Sequence, residues 1–281
     1  MDRRAFLGGV AGGASLLAGC STGGDGGTTP TVTPVAVPAG GSSPVSAAGE
    51  LDPPAVVDAH VDALAGGSAR VGVEYRAGRD EQPFDLARIV ATVDGAAVTH
   101  RVYAIRELPS GAVTRIFRGR WHGDGAAVVR YAEEGGRSSH VETDGLTPPP
   151  AAERFDRDRL VALLSAFDPS VTGDGEAVTA ESVADPGRLP TPRGLDGSET
   201  GRLRGRLDVD GVLVELGALF AVPPARAGSD PAPITYRLAV TDRGATTVER
   251  PDTDRTLDWY RTLQTESPVP ETAAEIRRPD W

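Results

Sequence analysis

A two-residue period broken by Asp-Gly constrains this chain more than any other feature. In "RVGVEYR", Val71, Val73 and Tyr75 alternate with Arg70, Glu74 and Arg76, the pattern of a strand buried on one face. "ARIVATV" repeats it through Ile89, Ala91 and Val93, and Asp94-Gly95 follows at once. Such a pair tolerates the positive φ of a tight hairpin, so "AVTHRVYAI" is read as the returning strand, with Val98, Val102 and Ala104 on one face. "SGAVTRIFRG" and "GAAVVRY" extend the meander around "HGDG". Later, "GRLRGRLDV" and "VLVELGALFAV" flank Asp210-Gly211 as a second hairpin. "ITYRLAV" points Ile234, Tyr236, Leu238 and Val240 inward, Asp242 to Gly244 turn the chain, and "ATTVER" is expected to close the sheet.

Helical spacing occurs in few places. Asp52 caps a first helix, Pro53 and Pro54 suit its opening turn, Val56, Val57, Val61 and Leu64 form its stripe, and Gly66 and Gly67 stop it. After "TPPPAAERFD" breaks the strand pattern, Asp156 is expected to cap a second helix through Leu160, Leu163, Leu164 and Phe167, ended by Asp168-Pro169. "EAVTAESV" is a short strand candidate before the long loop "ADPGRLPTPRGLDGSETG". A last short helix is expected around Leu257, Trp259, Tyr260 and Leu263. Runs of strands with few helices predict an α+β fold: one antiparallel sheet with helices on one side.

The N-terminus carries an address. "DRRAFLGGVAGGASLLAGC" joins Arg3 and Arg4 to an apolar run too short to span a hydrocarbon core, ending at the chain's only cysteine. It resembles a twin-arginine export signal, and "LAGC" resembles a lipobox. That resemblance implies cleavage before Cys20 and a lipid on its thiol, so that Cys20 holds the protein to an extracytoplasmic membrane face. The expected organisation is a signal peptide over 1–19, lipidated Cys20 with a Gly/Ser/Thr/Pro-rich tether over 20–50, a β-rich domain over 51–265 and a tail over 266–281. A single cysteine leaves no intramolecular disulfide.

Composition narrows the partners. Asp+Glu number 40 against Lys+Arg 29, and every one of those cations is an arginine, since lysine is absent. Asparagine is absent too, so no N-glycosylation sequon exists. An acidic, lysine-free, Ala- and Gly-rich chain resembles the proteins of extreme halophiles, in which carboxylates keep the surface hydrated. At molar salt the Debye length is about 3 Å, so the acidic excess does not point to a cationic partner. It also disfavours nucleic acid, whose binding rests on a basic footprint.

The segment "DALAGGS" running directly into "ARVGVEYR", then consecutive hairpins, an inserted helix and the late "YRLAV" strand, resembles haloarchaeal surface lipoproteins of uncharacterised function. More distantly, the order of elements from Leu51 to Leu263 is similar to the LolA/LppX-like lipoprotein carriers. This similarity implies a strongly curved, unclosed half-barrel whose concave face is covered by helices and holds an apolar ligand. On that expectation Val71, Val73, Ile89, Val102, Leu160, Leu164 and Leu238 line the concave face, and the partner is a lipid or another apolar small molecule. The alternative is a surface interaction or envelope-structural module with a solid core.

Catalytic and metal motifs were sought among the remaining residues. Of the histidines His60, His100, His122 and His140, none carries a partner at HxxxH or HExxH spacing. His60 is read as structural, His100 as inward-pointing, and His122 and His140 as turn and strand-edge residues. "HGDG" and "DVDG" lack the later ligands of a calcium loop and are read as turns. No G-x-S-x-G elbow or phosphate-binding loop accompanies them, so no catalytic residue, metal or cofactor is expected.

Overall fold

The computed structural model describes residues 45–46, 49–79, 82–107, 113–123, 127–134, 137–144, 147–172, 176–192, 195–223 and 231–250. Arg3, Arg4, Cys20, most of the tether and the helix expected around Leu257, Trp259, Tyr260 and Leu263 lie outside the described residues.

Helix α1, Pro53–Ala65, starts where its chemistry requires: Oδ1 of Asp52 accepts from the Ala55 N–H at 3.3 Å, and proline occupies the first turn. Strands β1 (Ser68–Arg79), β2 (Gln82–Asp94), β3 (Ala97–Glu107), β4 (Val113–Gly123), β5 (Ala127–Glu134) and β6 (Arg137–Asp144) form an antiparallel meander. Helices α2 (Ala151–Arg154) and α3 (Arg157–Phe167) follow. Strands β7 (Ser170–Thr172), β8 (Ala177–Ala180), β9 (Gly201–Leu207), β10 (Leu213–Val222) and β11 (Ala232–Thr241) complete the sheet. β11 pairs antiparallel with β1, which joins two meanders into one 11-stranded sheet ordered β6-β5-β4-β3-β2-β1-β11-β10-β9-β8-β7.

Its first and last members, β6 and β7, do not pair with each other, so the sheet is open among the described residues. Neighbouring strands twist by about 20–25°, and sheets near ten strands curl rather than stay flat. The curl wraps α1, α2 and α3. Residues of β1, β2, β3, β8, β9, β10 and β11 share one buried apolar cluster with the helices. The architecture is therefore an α+β, strongly curved antiparallel sheet with a few helices over its concave face.

Packing of that cluster is tight. Phe167 of α3 meets Phe220 of β10 edge-on, ring centroids 6.3 Å apart and planes at 70°. Gly205 of β9 lies opposite Leu216 of β10, and a Cβ there would come within 2.7 Å of Leu216 Cδ1 and 2.8 Å of the Glu215 carbonyl oxygen. Glycine lets Leu216 lie across β9. At the β9–β10 turn, Gly211 adopts φ +76, and Oδ1 of Asp208 accepts from the Asp210 and Val212 N–H groups, each at 2.9 Å. Arg243 pairs with Asp208 and, at 3.2 Å, with Asp210. The carboxylates of "DVDG" are thus engaged in a turn; the Asp-Gly of "HGDG" lies outside the described residues.

Several local expectations are corrected. "ATTVER" is not a strand: Ser68 Oγ donates to the Thr246 carbonyl at 2.9 Å and accepts from the Thr246 N–H at 2.9 Å, which pins this segment across the start of β1. Asp156 precedes α3 but makes no side-chain cap; it adopts φ 56, ψ 39, and its Oδ2 accepts instead from Arg159 at 2.6 Å. His122 is not a turn residue but a buried member of β4. Strands β6 and β7 and the short α2 had no sequence signal.

Candidate functional site

Side chains that pair across a sheet share a face, so the register reads out the concave surface directly. One row runs Val171, Val178, Gly205, Leu216, Leu238, Val73, Ile89, Val102 and Arg118, crossing the sheet from β7 to β4. The row is apolar as far as Val102 and turns cationic at the next strand. Exposure follows the same direction. Val73 is 0% exposed and Ile89 9%, Val102 is partly buried, and Arg118 is exposed.

The residues expected to line this face converge. Val71, Val73, Leu238, Leu160 and Leu164 are fully buried in the common apolar cluster, Ile89 lies at its edge, and Val102 packs against it from β3. Helical spacing delivers Leu160 and Leu164 from α3, while strand alternation delivers the others. Their side chains occupy the space between sheet and helices. Two clefts lie elsewhere: one of about 340 Å³ among Ala63, Leu64, Gly67, Ser68, Ala69, Arg243 and Gly244, and one of about 330 Å³ bordered by Phe167, Asp168, Ser170 and Thr179.

Beyond Val102 the same face carries a different chemistry. His100 of β3 pairs with Arg120 of β4, and Val98 pairs with His122. Arg154 of α2 lies close enough to act on His100, as do Arg120 and His122. Burial lowers the His100 pKa to about 4, with Arg120, Arg154 and His122 adding to the effect. Burial alone lowers that of Arg154, whose guanidinium carbon lies 5.3 Å from the Phe155 ring centroid. His100 Nε2 and Arg154 Nε are buried without a hydrogen-bond partner among the described residues. Sequence reasoning found His100 but missed this cluster. The signal was present in "TRIFRGRWHG", where Arg118, Arg120 and His122 alternate with Phe117 and Trp121.

That alternation has an inverse on the opposite face. Leu86, Val90, Phe117 and Trp121 are buried yet stand outside the helix-side cluster, and Arg250 lies over the Trp121 ring at 5.5 Å. β4 therefore turns Phe117 and Trp121, with Arg115, away from the helices, and Arg118 and Arg120 toward the concave face.

A second polar group sits inside the helix-covered half. Arg159 stacks over the Tyr75 ring at 4.6 Å and donates to Asp156, with Tyr236 beside them on β11. Burial raises the Asp156 pKa against the opposing pull of Arg159, and burial likewise raises Tyr75 and Tyr236. The carboxylate and guanidinium satisfy one another. His60 of α1 is fully buried, and burial followed by the charge of Arg243 lowers its pKa to about 4. It is a neutral core side chain. Among the described residues no group of three His, Cys, Asp or Glu converges as a metal site, and no helix is long and apolar enough to cross a membrane.

No family model matches the chain, and no curated protein matches it. Among solved structures, LprF from Mycobacterium bovis is similar at 17% identity and a TM-score of 0.34, over 71% of this chain and 97% of that one. The lipoprotein LppX from Mycobacterium tuberculosis is similar at 13% identity and 0.30, over 70% and 98%. A LolA superfamily protein from Nitrosomonas europaea is similar at 12% identity and 0.20, over 72% and 96%.

Proposed function

We propose that the chain is an extracytoplasmic lipoprotein, held to a membrane through Cys20, whose curved sheet binds a hydrophobic or amphipathic ligand on its concave face. Arg3 and Arg4 direct export, residues 1–19 are removed, residues 20–50 act as the tether and the β-rich domain extends over 51–265, with a tail over 266–281. The observation that carries the binding role is the apolar concave row from Val171 to Val102, which is partly buried at β7, fully buried beneath the helices at Val178, Leu216, Leu238 and Val73, and partly exposed again at β3. An apolar floor that is partly exposed at β3 gives a greasy ligand a way in. Val71, Val73, Ile89, Val102 and Leu238 supply the floor, and Leu160 and Leu164 the cover.

One observation favours a second reading. The same side chains fill the space between sheet and helices, as they would in an interaction or envelope-structural module with a solid core. Native mass spectrometry of the full chain purified from its own host, with organic extraction of what co-purifies, separates the two. A stoichiometric lipid or other apolar molecule is the expected result. A clean apo mass overturns the binding role and leaves the solid-core module.

A further inference from the structure

We propose that the concave face at the β3–β4 step is a seat for a net-negative head group, formed by His100, Arg120 and Arg154, whose ligand's apolar part lies toward Val102 and Ile89. The inference rests on the amphiphile reading above and names the ligand class: an acidic amphiphile.

Three independent features converge on this place. The first is the row itself, in which Val102 is followed directly by Arg118 and in which the neighbouring row places Arg120 opposite His100. Polarity changes over one inter-strand spacing of about 4.8 Å, shorter than the length of an acyl chain. A molecule lying along the row meets apolar side chains at one end and cations at the other. The second feature is burial. Arg154 is 8% exposed, and among the described residues the charges acting on His100 are those of Arg120, Arg154 and His122. A desolvated guanidinium is costly unless an anion offsets it, and a bidentate oxyanion is its natural partner. Arg159, another cation seated within the helix-covered half, has its carboxylate in Asp156. Arg154 of α2 has an aromatic ring instead.

The third feature is access. Arg120 is half-buried and Arg118 exposed, so the cationic step lies where the concave face meets solvent. A head group bound there stays at the mouth while its chain points inward along Val102 and Ile89.

The test is a calorimetric titration of the full chain with dihexanoyl phosphatidylglycerol, dihexanoyl phosphatidylcholine and inorganic phosphate, each soluble at the concentrations used. Phosphatidylglycerol should bind about tenfold or more tightly than phosphatidylcholine, as expected for one charge-assisted contact. Arg120→Gln, at a half-buried position where folding is less at risk than at Arg154, should bring the two lipids within about threefold of each other, its melting temperature serving as the check on folding. Equal binding of both lipids overturns the head-group seat and leaves the amphiphile reading standing. Binding of neither lipid overturns both. Phosphate bound as tightly as phosphatidylglycerol overturns the amphiphile as the source of the anion.

Discussion

The two halves of the sheet treat the same concave face in opposite ways. From β7 through β11 to β1 and β2, the helix-facing side chains are largely apolar, while the other face is mostly polar apart from buried residues such as Leu86, Val90 and Leu219. From β3 to β4 this amphipathy inverts: Phe117 and Trp121 are buried on the far face, while Arg118, Arg120 and His122 share the concave one. One half is a core in the ordinary sense. The other offers polar groups to the same space and buries Phe117 and Trp121 on its far face instead. The proposed binding face spans the seam between them, along Ile89, Val102 and Arg118.

Substitutions on either side of the seam should separate core from site. Leu216→Ala removes a fully buried side chain that lies across Gly205, and a cavity of this kind costs about 2–5 kcal/mol. Val102→Ala removes a partly buried side chain at the seam, with less area withdrawn from water and a site that can relax toward solvent, so it should cost roughly 1 kcal/mol or less. Urea denaturation of both variants measures the gap. Equal losses would show that the seam is as closed as the core.

Acid provides the next largest effect, and it acts on both halves. His60 and His100 are neutral in the folded protein because burial lowers each to about 4, whereas the unfolded chain takes up the proton near 6.5. Between these values the unfolded state binds more protons, so stability falls as pH is lowered from about 6.5 toward 4, by about 1.4 kcal/mol per pH unit for each histidine. Asp156, raised by burial above its ordinary value of 3.8, acts in the reverse sense as pH falls toward that value. Denaturant titrations at pH 7 and pH 5 should show the fall, and His60→Leu should remove roughly half of it. An unchanged pH dependence in His60→Leu would mean that α1 opens to solvate the ring before the rest unfolds.

Much of this fold could be read from the chain because its strands alternate cleanly and its turns contain the residues that turns need. Asp94-Gly95 and Asp210-Gly211 marked both principal hairpins, and Asp52 marked the start of α1. β6 was invisible because "RSSHVETD" alternates polar with polar, and β7 because three residues are too few to show a period. Asp156 was misassigned for an energetic reason: a capping carboxylate and an ion-pairing one look alike in sequence, and the competing partner Arg159 was three residues away in the same segment. The apolar residues of the floor were legible one strand at a time. The cationic step was not, since it depends on the register that sets His100 beside Arg120 and on α2 bringing Arg154 to both.

Gly205 offers a sharper probe of the core half. With a Cβ built at this position, the nearest atoms are Leu216 Cδ1 at 2.7 Å and the Glu215 carbonyl oxygen at 2.8 Å, and the second cannot swing aside. Gly205→Val should therefore cost about 1–3 kcal/mol through overpacking, although valine is otherwise a favoured strand residue. The expected loss in melting temperature is the check, and a gain would mean that β9 shifts freely against β10.

The smallest effect belongs to the far face of β1 and β2, where Arg88 Nε donates to Glu74 Oε2 at 2.7 Å across a directly paired register. Arg88 is 31% exposed and Glu74 14%, so solvent screens the pair on one side, and a second arginine, Arg76, approaches Glu74 at 3.5 Å. A double-mutant cycle on Glu74 and Arg88 should yield a coupling of about 0.2–1 kcal/mol, decreasing with added salt. Arg76 takes up part of the lost interaction in Arg88→Ala alone, so the single variant should lose less than the cycle reports. This electrostatic device joins two strands without biasing what the concave face binds. Removing it should leave the preference between acidic and zwitterionic lipid unchanged. A shift in that preference would mean that β1 and β2 set the geometry of the β3–β4 step through their pairing, which would extend the functional seam one strand further into the core half.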